Sequence, residues 1–249
     1  DRGLLGLALA PDFPTSPWVY VLYTFDAAIG GTAPRWGSVG GTSDGCPTPP
    51  GPTADGCVVA GRVSRLQASG NTMTGSEQVL IEDWCQQYPS HSIGSLAFGA
   101  DGALYVSGGD GASFNFVDYG QDGTPVNPCG DPPGGVGGTM APPTAEGGAL
   151  RSQDVRTMSD AVGLDGAILR VDPVTGAGLP DNPMASSSDP NARRIVAHGL
   201  RNPFRITTRP GTNEVWIGDV GWNDWEEIDR VVNPTSAPVE NFGWPCYEG

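Results

Sequence analysis

The sequence contains no lysine and only two histidines, His91 and His198. Its 13 basic side chains are therefore all arginines, and against 28 Asp and Glu residues they leave a formal net charge of −15 at pH 7. A chain this acidic lacks the basic stripe with which nucleic-acid-binding proteins displace counterions from phosphates, and anionic lipid repels it. We therefore expect no nucleic-acid partner and no docking on an anionic membrane surface.

Long apolar runs are also lacking. No stretch approaches the length of about 20 apolar residues that a membrane-spanning helix needs, so we expect no membrane insertion. The chain begins at "DRGLLGLALAPDF" without an initiator methionine and stops at "NFGWPCYEG", directly after aromatic residues typical of a core. We therefore expect a fragment of a longer fold, and a leader peptide is neither present nor excluded.

Metal-binding cysteine patterns are absent as well. The five cysteines form no C-x-x-C pair and accompany no histidine cluster, which argues against a zinc site. Cys46 and Cys57 bracket a proline-rich loop, and Cys85 and Cys129 flank the next long loop system. We expect the disulfides Cys46–Cys57 and Cys85–Cys129, a partner for Cys246 outside this chain, and hence an extracellular or periplasmic location. Buried free cysteines are the alternative.

Turn residues and dispersed aromatics are abundant. The 38 glycines and 24 prolines separate short apolar runs that hold 7 Trp, 6 Tyr and 7 Phe, which favours many short strands over disorder. Segments 4–24, 94–110 and 204–220 share one pattern: an apolar strand, a turn and a second strand with an aromatic near its start. Segments 61–84 and 167–179 share another: an arginine-bearing strand, a turn and an outgoing apolar strand.

Hairpins of two alternating kinds predict an all-β fold of the β-propeller class, in which each small sheet leans on the next; a β-sandwich is the alternative. We expect residues 1–249 to form a single partial propeller domain of roughly four blades. Residues 27–58 and 111–163 lack strand periodicity. We therefore expect long loop insertions there, at the sheet ends where sites tend to be built.

The histidine most suited to chemistry is His91, in "PSHSIGSLAFGADGALYVSGGDG". It precedes one strand of a predicted hairpin and Asp110 ends the other, so both are expected at one end of the same sheet. A carboxylate that accepts a hydrogen bond from one ring nitrogen fixes the tautomer and leaves the other nitrogen as a base. A structural histidine bonded to a turn is the alternative.

Five of the arginines cluster in 193–209, around "HGLRNPFR". Pro203 cannot donate a ladder hydrogen bond and disfavours helix before it, so Arg201 and Asn202 are predicted on a loop. A guanidinium fork and an amide there suit a flat partner that carries carboxylates. The alternative is a surface cluster paired with nearby acids.

A third candidate site is the acidic segment 218–229, "GDVGWNDWEEID". It combines glycines, a turn and carboxylates, which supply the side-chain and carbonyl oxygens that Ca²⁺ prefers, although its acids do not have EF-hand spacing. A solvated acidic turn is the alternative.

Together these segments carry a resemblance that no single one carries. The matching stretches, in chain order, are "RGLLGLALAPDF", "HSIGSLAFGADGALYVSGGDG", "SQDVRTMSDAVGLDGAILRVDP", "GLRNPFRITTRPGTNEVWIGDVGWNDWEEID" and "NFGWPCYEG". The chain resembles the soluble glucose/sorbosone dehydrogenases, also called aldose sugar dehydrogenases. This resemblance implies a six-bladed β-propeller that holds pyrroloquinoline quinone (PQQ) and Ca²⁺, oxidises a sugar at C1, and passes electrons to an acceptor protein or quinone.

The resemblance also implies a role for each matching residue. His91 would be the general base that takes the proton from the sugar C1 hydroxyl, and Asp110 would orient it. Arg201 and Asn202 would contact PQQ, whose carboxylates explain why cations gather on an acidic chain.

Calcium ligands are implied within and after the acidic segment. The backbone carbonyls of Gly221 and Trp222 would face the cofactor and its Ca²⁺. Family members carry proline or another residue at the position of Trp222, so the resemblance implies a role only for its backbone carbonyl and none for its side chain. Glu227 and the Phe242 carbonyl would hold a second, structural Ca²⁺.

A different function remains open, because the fold also resembles the propeller of hedgehog-interacting proteins, which recognises a protein and performs no oxidation. A non-catalytic extracellular module that binds protein or carbohydrate is therefore the alternative. The presence of His91 with Asp110, and of Arg201 with Asn202, favours the enzyme. The cysteine-bracketed loops and the lack of lysine weigh against it.

Overall fold

The computed structural model describes residues 2–35, 57–86, 88–112, 129, 149–156, 161–222 and 224–249. The strands in these residues form three sheets. The first sheet contains β1 (Leu4–Leu9), β2 (Trp18–Phe25), β3 (Val59–Ser69) and β4 (Thr72–Gln86). The second contains β5 (Ile93–Phe98), β6 (Leu104–Gly108), β7 (Ala167–Val171), β8 (Ile195–His198) and β12 (Glu240–Asn241). The third contains β9 (Pro203–Thr208), β10 (Val215–Asp219) and β11 (Glu227–Val231).

Each sheet is a meander, in which consecutive strands pair antiparallel; the exception is β12, which runs parallel to β8. Two helical segments are also described, a 3₁₀ helix (Leu150–Arg156) and a short helix α1 (Pro190–Arg194). Helix α1 begins where the carboxylate of Asp189 accepts the first free N–H groups, as an N-cap residue does. The chain is therefore all-β, as the sequence predicted.

The hairpins predicted from the first repeated pattern are present. Segments 4–24, 94–110 and 204–220 form β1–β2, β5–β6 and β9–β10, the first two strands of each sheet. Segment 61–84 forms β3–β4, as the second pattern predicted. Alternation and turn residues were sufficient here because both are local signals.

The second pattern is wrong for segment 167–179. The turn forms, but only the bridge between Val171 and Gly178 follows it. The physical reason is that the free edge of β7 is occupied: β8, beyond helix α1, pairs with Ile168 and Leu169. The side-chain amide of Asn182 also donates to the Arg170 carbonyl at 2.8 Å, so an outgoing strand finds no place at this edge.

The second sheet lies between the other two. Strand β5 contacts β1 and β2 of the first sheet, and β9 of the third packs against β5 and β6. The first strands of the three sheets therefore adjoin one another, as the inner strands of propeller blades do. Strands β6, β7 and β8 are buried along their whole length, because other elements cover both of their faces.

Two large apolar clusters fill the spaces between the sheets. One joins the first and second sheets around Trp84, Ile93 and Leu104, which are fully buried. The other joins the second and third sheets around Tyr105 and Ile217. Burying a side chain of this size stabilises a fold by about 1.5–3 kcal/mol. The clusters hold the ends of different sheets in fixed positions, which a site built from several strand ends requires.

The two predicted insertions are described only in part. Of 111–163, the residues Leu150–Arg156 are not a surface loop: they form the 3₁₀ helix, and all of them except Arg156 are buried. The loop prediction is wrong for this stretch because it rested on missing strand periodicity, which does not exclude a short buried helix. Of 27–58, the structure describes 27–35 and 57–58 only.

The cysteine predictions have different outcomes. The disulfide predicted between Cys85 and Cys129 is present. Cys57 is disulfide-bonded, and its predicted partner Cys46 lies outside the described residues. Cys246 is an exposed free thiol. In the part of the chain that the structure describes, no helix combines the length and apolarity needed to cross a bilayer.

Candidate functional site

His91 and Asp110 meet at one end of the second sheet. His91 lies just before β5 and Asp110 just after β6, and the pairing of Ile93 with Gly108 brings these strand ends side by side. His91 Nδ1 lies 2.9 Å from Asp110 Oδ1. The contact predicted from the hairpin spacing is therefore present.

The backbone of His91 adopts a conformation that the sequence did not signal. Its φ is 46°, in the left-handed region that non-glycine residues rarely occupy. Hydrogen bonds hold it there: Gly109 N–H donates to Ser92 O at 2.5 Å, and Gly111 N–H donates to His91 O at 2.9 Å. Any Cβ on Gly109 would overlap the His91 carbonyl. Backbone strain of this kind is concentrated at functional sites in proteins.

Asp110 is completely buried and accepts three hydrogen bonds. Its Oδ1 accepts from His91 Nδ1 and from the Ala112 N–H at 2.8 Å, and its Oδ2 accepts from Trp244 Nε1 at 2.7 Å. Burial alone would raise the pKa of Asp110, but the charge and hydrogen bond of His91 and the Ala112 N–H outweigh it, so the pKa is lowered. The carboxylate is therefore ionised and accepts the His91 Nδ1 proton.

The 3₁₀ helix holds this pair in place through hydrogen bonds. Arg151 Nε donates to the Asp110 carbonyl at 3.2 Å. Ser152 Oγ and Gln153 Nε2 donate to the Trp244 carbonyl at 2.8 and 2.6 Å. A segment predicted as a loop insertion therefore fixes both Asp110 and its partner Trp244.

Arg201 and Asn202 lie on the loop between β8 and β9, as predicted, and both are buried. Their backbone N–H groups donate to the carboxylate of Asp219, at 2.9 Å from Arg201 and 2.6 Å from Asn202. The Arg201 carbonyl in turn accepts the N–H of Asp110 at 2.9 Å. This last bond joins the Arg201 loop to the His91–Asp110 pair.

The Arg201 guanidinium reaches the third sheet. Its Nη1 donates to the carbonyls of Val220 at 2.8 Å and Gly221 at 2.7 Å. Burial lowers the pKa of Arg201, although Asp110 and Asp219 act in the opposite direction. A guanidinium stays charged in proteins, so the structure holds a buried positive charge close to the predicted base.

Gly221 and Trp222 form a tight loop beneath this guanidinium. Any Cβ on Gly221 would overlap the Trp225 carbonyl, so the close approach requires glycine. Glu248 Oε1 accepts the N–H of Trp222 at 2.5 Å. The Trp222 ring stands edge-to-face against Trp244, with ring centroids 5.9 Å apart. The predicted cofactor residues therefore adjoin the Asp110 partner.

The acidic segment gathers three carboxylates that could bind a metal. Ligand oxygens of Asp219, Glu227 and Asp229 lie within 4.8 Å of one another. Burial raises the pKa of Asp219 to about 7 and that of Asp229 to about 6, and the neighbouring carboxylates add to this in smaller part. Asp219 and Asp229 were not among the predicted ligands. The backbone N–H of Phe242, the other predicted ligand residue, donates to the His198 carbonyl at 3.0 Å.

Other arginines of the 193–209 cluster serve the fold. Arg194 pairs with Asp83 at 2.7 Å and Arg209 with Glu214 at 3.4 Å. Arg205 lies over the ring of Phe204. Arg194 and Arg209 therefore pair with nearby acids, as the alternative interpretation of the cluster proposed, while Arg201 is buried at the site.

The chain is similar to known proteins in both sequence and fold. The family model "Glucose / Sorbosone dehydrogenase" matches residues 1–125 and 146–249. A putative oxidoreductase (glucose dehydrogenase) from Thermus thermophilus is 25% identical, with a TM-score of 0.61 over 100% of this chain and 53% of that chain.

Two further solved structures, each described as a glucose dehydrogenase, have TM-scores of 0.58. They are 20% and 19% identical, and the alignments cover 98% of this chain and 50% and 49% of theirs. The chain thus spans about half the length of the structures it matches. The predicted propeller class is confirmed, while the number of blades stays a prediction. On its sequence and its fold, the chain belongs to the glucose/sorbosone dehydrogenase family.

Proposed function

We propose that this chain forms part of a PQQ- and Ca²⁺-dependent dehydrogenase that oxidises an aldose or related sugar at C1. The observation that carries the proposal is the hydrogen bond between His91 Nδ1 and the buried, ionised Asp110. Support for the sugar dehydrogenase class comes from the family match. The specific sugar hydroxyl, the cofactors and the mechanism are our inference.

Asp110 prepares His91 to act as a base. A carboxylate without a proton can only accept a hydrogen bond, so the His91 proton lies on Nδ1 and the lone pair on Nε2. Nε2 is then the atom that takes the proton from the C1 hydroxyl. The imidazolium that forms is stabilised by Asp110 at 2.9 Å, in a site from which water is largely excluded.

The residues present suit PQQ. Asn202 Oδ1 is buried and accepts no hydrogen bond among the described residues, and a buried amide oxygen of this kind needs a partner. Arg201 offers a buried positive charge for a carboxylate, and the rings of Trp222 and Trp244 offer flat surfaces. When bound, the quinone would supply the two-electron acceptor that no side chain can provide.

The oxygen groups nearby suit Ca²⁺. The Gly221 carbonyl accepts a hydrogen bond from Arg201, and a carbonyl oxygen has a second lone pair for a cation. Asp229 Oδ2 is buried and has no hydrogen-bond partner in the described part of the chain, and it lies in the cluster with Glu227. Carboxylates and backbone carbonyls are the ligands that Ca²⁺ prefers.

A sugar oxidation assay tests the proposal. The full-length protein is incubated with PQQ, Ca²⁺, an aldose and a dye acceptor, and dye reduction is measured beside PQQ binding. We expect His91→Ala to bind PQQ but to lose at least about 100-fold in kcat, because general-base catalysis contributes about that much. His198→Gln, which removes the other imidazole, is the control and keeps its activity at pH 8.

Two results would contradict the proposal. One is the absence of PQQ binding at micromolar cofactor, which would favour the non-catalytic binding module. The other is full activity in His91→Ala.

The location and electron partner belong to the same proposal. We propose an extracellular or periplasmic protein that passes electrons to an acceptor protein or quinone. The Cys85–Cys129 disulfide supports an oxidising compartment. Fractionation of the producing cells, with detection of the oxidised disulfide, tests the location.

A further inference from the structure

We propose that Trp244 is a positioning residue for the base: its indole N–H holds the Asp110 carboxylate in the orientation that fixes His91. The inference rests on the proposed function for its effect on rate. The effect of Trp244 on which His91 ring nitrogen carries the proton does not depend on that function. Sequence reasoning assigned no role to Trp244.

The contact is short and buried. Trp244 Nε1 donates to Asp110 Oδ2 at 2.7 Å. His91 and Ala112 both bind the other oxygen, Oδ1. Among the residues that the structure describes, Trp244 is thus the donor to Oδ2. Removing its indole would leave a completely buried, charged oxygen without that hydrogen bond. The carboxylate would then turn to find another donor, and its alignment with His91 Nδ1 would suffer.

Trp244 is itself held rigidly. Its backbone N–H donates to the Gly199 carbonyl at 2.9 Å, and its backbone carbonyl accepts hydrogen bonds from the side chains of Ser152 and Gln153. Two separate segments, the loop after β8 and the 3₁₀ helix, therefore fix its main chain. A side chain placed by so many bonds can transmit a fixed orientation to Asp110.

The other side of the indole adjoins the predicted cofactor residues. The Arg201 guanidinium carbon lies 5.5 Å from the Trp244 ring centroid, and the Trp222 ring packs edge-to-face against it. Trp244 therefore lies between the His91–Asp110 pair and the Arg201 loop. A ligand that moves Arg201 or Trp222 would therefore act on Asp110 through the Trp244 ring. Trp244 contacts both the partner of the base and the predicted cofactor residues.

The effect on catalysis should appear in kcat. Losing a hydrogen bond to a buried carboxylate in Trp244→Phe should lower kcat about 10-fold to 100-fold. KM should change little, because Trp244 is expected to touch Asp110 and not the sugar. Trp216→Phe is the matched control: Trp216 lies on β10, is partly exposed, and adjoins Arg230 instead of the site.

A double-mutant cycle with Asp110→Asn separates positioning from general damage. If Trp244 acts through Asp110, Trp244→Phe lowers kcat in the parent but adds little in the Asp110→Asn background. If the two losses simply multiply, the proposal is overturned. The parent and each variant are the full-length protein, with thermal unfolding measured to correct for unfolded enzyme.

A second readout does not depend on activity. The ¹⁵N resonances of the His91 ring in the cofactor-free protein report which nitrogen carries the proton. We expect the Nδ1–H form alone in the parent and a mixture of both tautomers in Trp244→Phe. A wholly Nδ1–H ring in a folded Trp244→Phe would overturn the positioning role. Absence of sugar oxidation in the parent would instead remove the proposed function and leave this result standing.

Discussion

His198 differs from His91 in what its surroundings allow. It lies on β8, buried, and its Nδ1 donates to the Ser152 carbonyl at 3.1 Å. Burial lowers the pKa of His198 to about 4, against the opposing effect of the Ser152 carbonyl. The ring is therefore neutral near pH 7, and His198 supports the fold.

Acid should destabilise the protein through His198. The unfolded chain takes up a proton near pH 6.5 and the folded chain only near pH 4, so this contribution is complete above pH 6.5 and is lost as pH falls toward 4. Between pH 7.5 and 4.5 the His198 contribution falls by about 2–3 kcal/mol, while the raised pKa values of Asp219 and Asp229 act in the opposite direction. The carboxyl contributions are common to the parent and His198→Gln, so urea unfolding of both proteins at both pH values should show the His198 contribution as a difference of about 2–3 kcal/mol between their pH dependences.

Gly108 shows how a missing side chain can be essential. It lies on β6, where any Cβ would overlap the ring of the fully buried Trp84. We expect Gly108→Ala to cost about 1–3 kcal/mol, because a well-packed core resists an added methyl group.

Gly218 on β10 is the matched control for that substitution. A Cβ there would meet only the Arg205 carbonyl, at 3.8 Å. Gly218→Ala should therefore change the urea midpoint little, and equal losses for the two variants would refute the packing argument.

At the scale of elements, the 3₁₀ helix and the disulfide connect segments that are far apart in the chain. The helix binds the backbones of Asp110 and Trp244, which lie on different sides of it in sequence. The Cys85–Cys129 bond joins the end of β4 to the segment between β6 and β7, across 44 residues. These connections determine where the strand ends lie relative to one another.

Removing the disulfide should lower stability more than a cysteine substitution elsewhere. Closing a loop of this length reduces the entropy of the unfolded chain, so the double variant Cys85→Ser, Cys129→Ser should lose about 2–4 kcal/mol. Cys246→Ser changes a free, exposed thiol and should stay within about 0.5 kcal/mol of the parent. Denaturant unfolding of both variants, without reductant, distinguishes them.

At the scale of the whole molecule, the site draws on the second sheet, on its loop to the third sheet and on the segment that follows β12. The second sheet supplies His91 and Asp110, the loop to the third supplies Arg201, and the segment after β12 supplies Trp244. The apolar clusters between the sheets hold these parts together. A ligand that contacts several of these segments at once should therefore raise the stability of the whole fold.

Ca²⁺ should stabilise the full-length protein through the acidic cluster. At 100 times its Kd a ligand adds about 2.7 kcal/mol, which corresponds to roughly 5–10 °C in Tm for a chain of this size. The gain should be smaller at pH 5 than at pH 8, because Ca²⁺ must then displace protons from Asp219 and Asp229, whose pKa values are raised to about 7 and 6. Thermal unfolding in Ca²⁺, in Mg²⁺ and in chelator measures this. An equal gain in Glu227→Gln would remove Glu227 from the site.

Much of this organisation could be predicted from local patterns. The three hairpins and the His91–Asp110 contact follow from strand spacing, because residues at the ends of paired strands must be neighbours. By contrast, the failure at 167–179 has a cause that is not local, because β8 occupies the edge of β7 that an outgoing strand would need. The 3₁₀ helix has no apolar periodicity, because its buried polar side chains bind backbone groups from distant segments.

The sequence by itself determined the all-β class, the hairpins, the family and the candidate base, since each depends on residues close together in the chain or on their order. Only the tertiary structure decided that Trp244 binds Asp110, that Asp219 holds the Arg201 loop, and that His91 has a positive φ. Trp244 and Asp110 are 134 residues apart. Such contacts depend on how whole sheets pack against one another, and no local pattern of residue types encodes that packing.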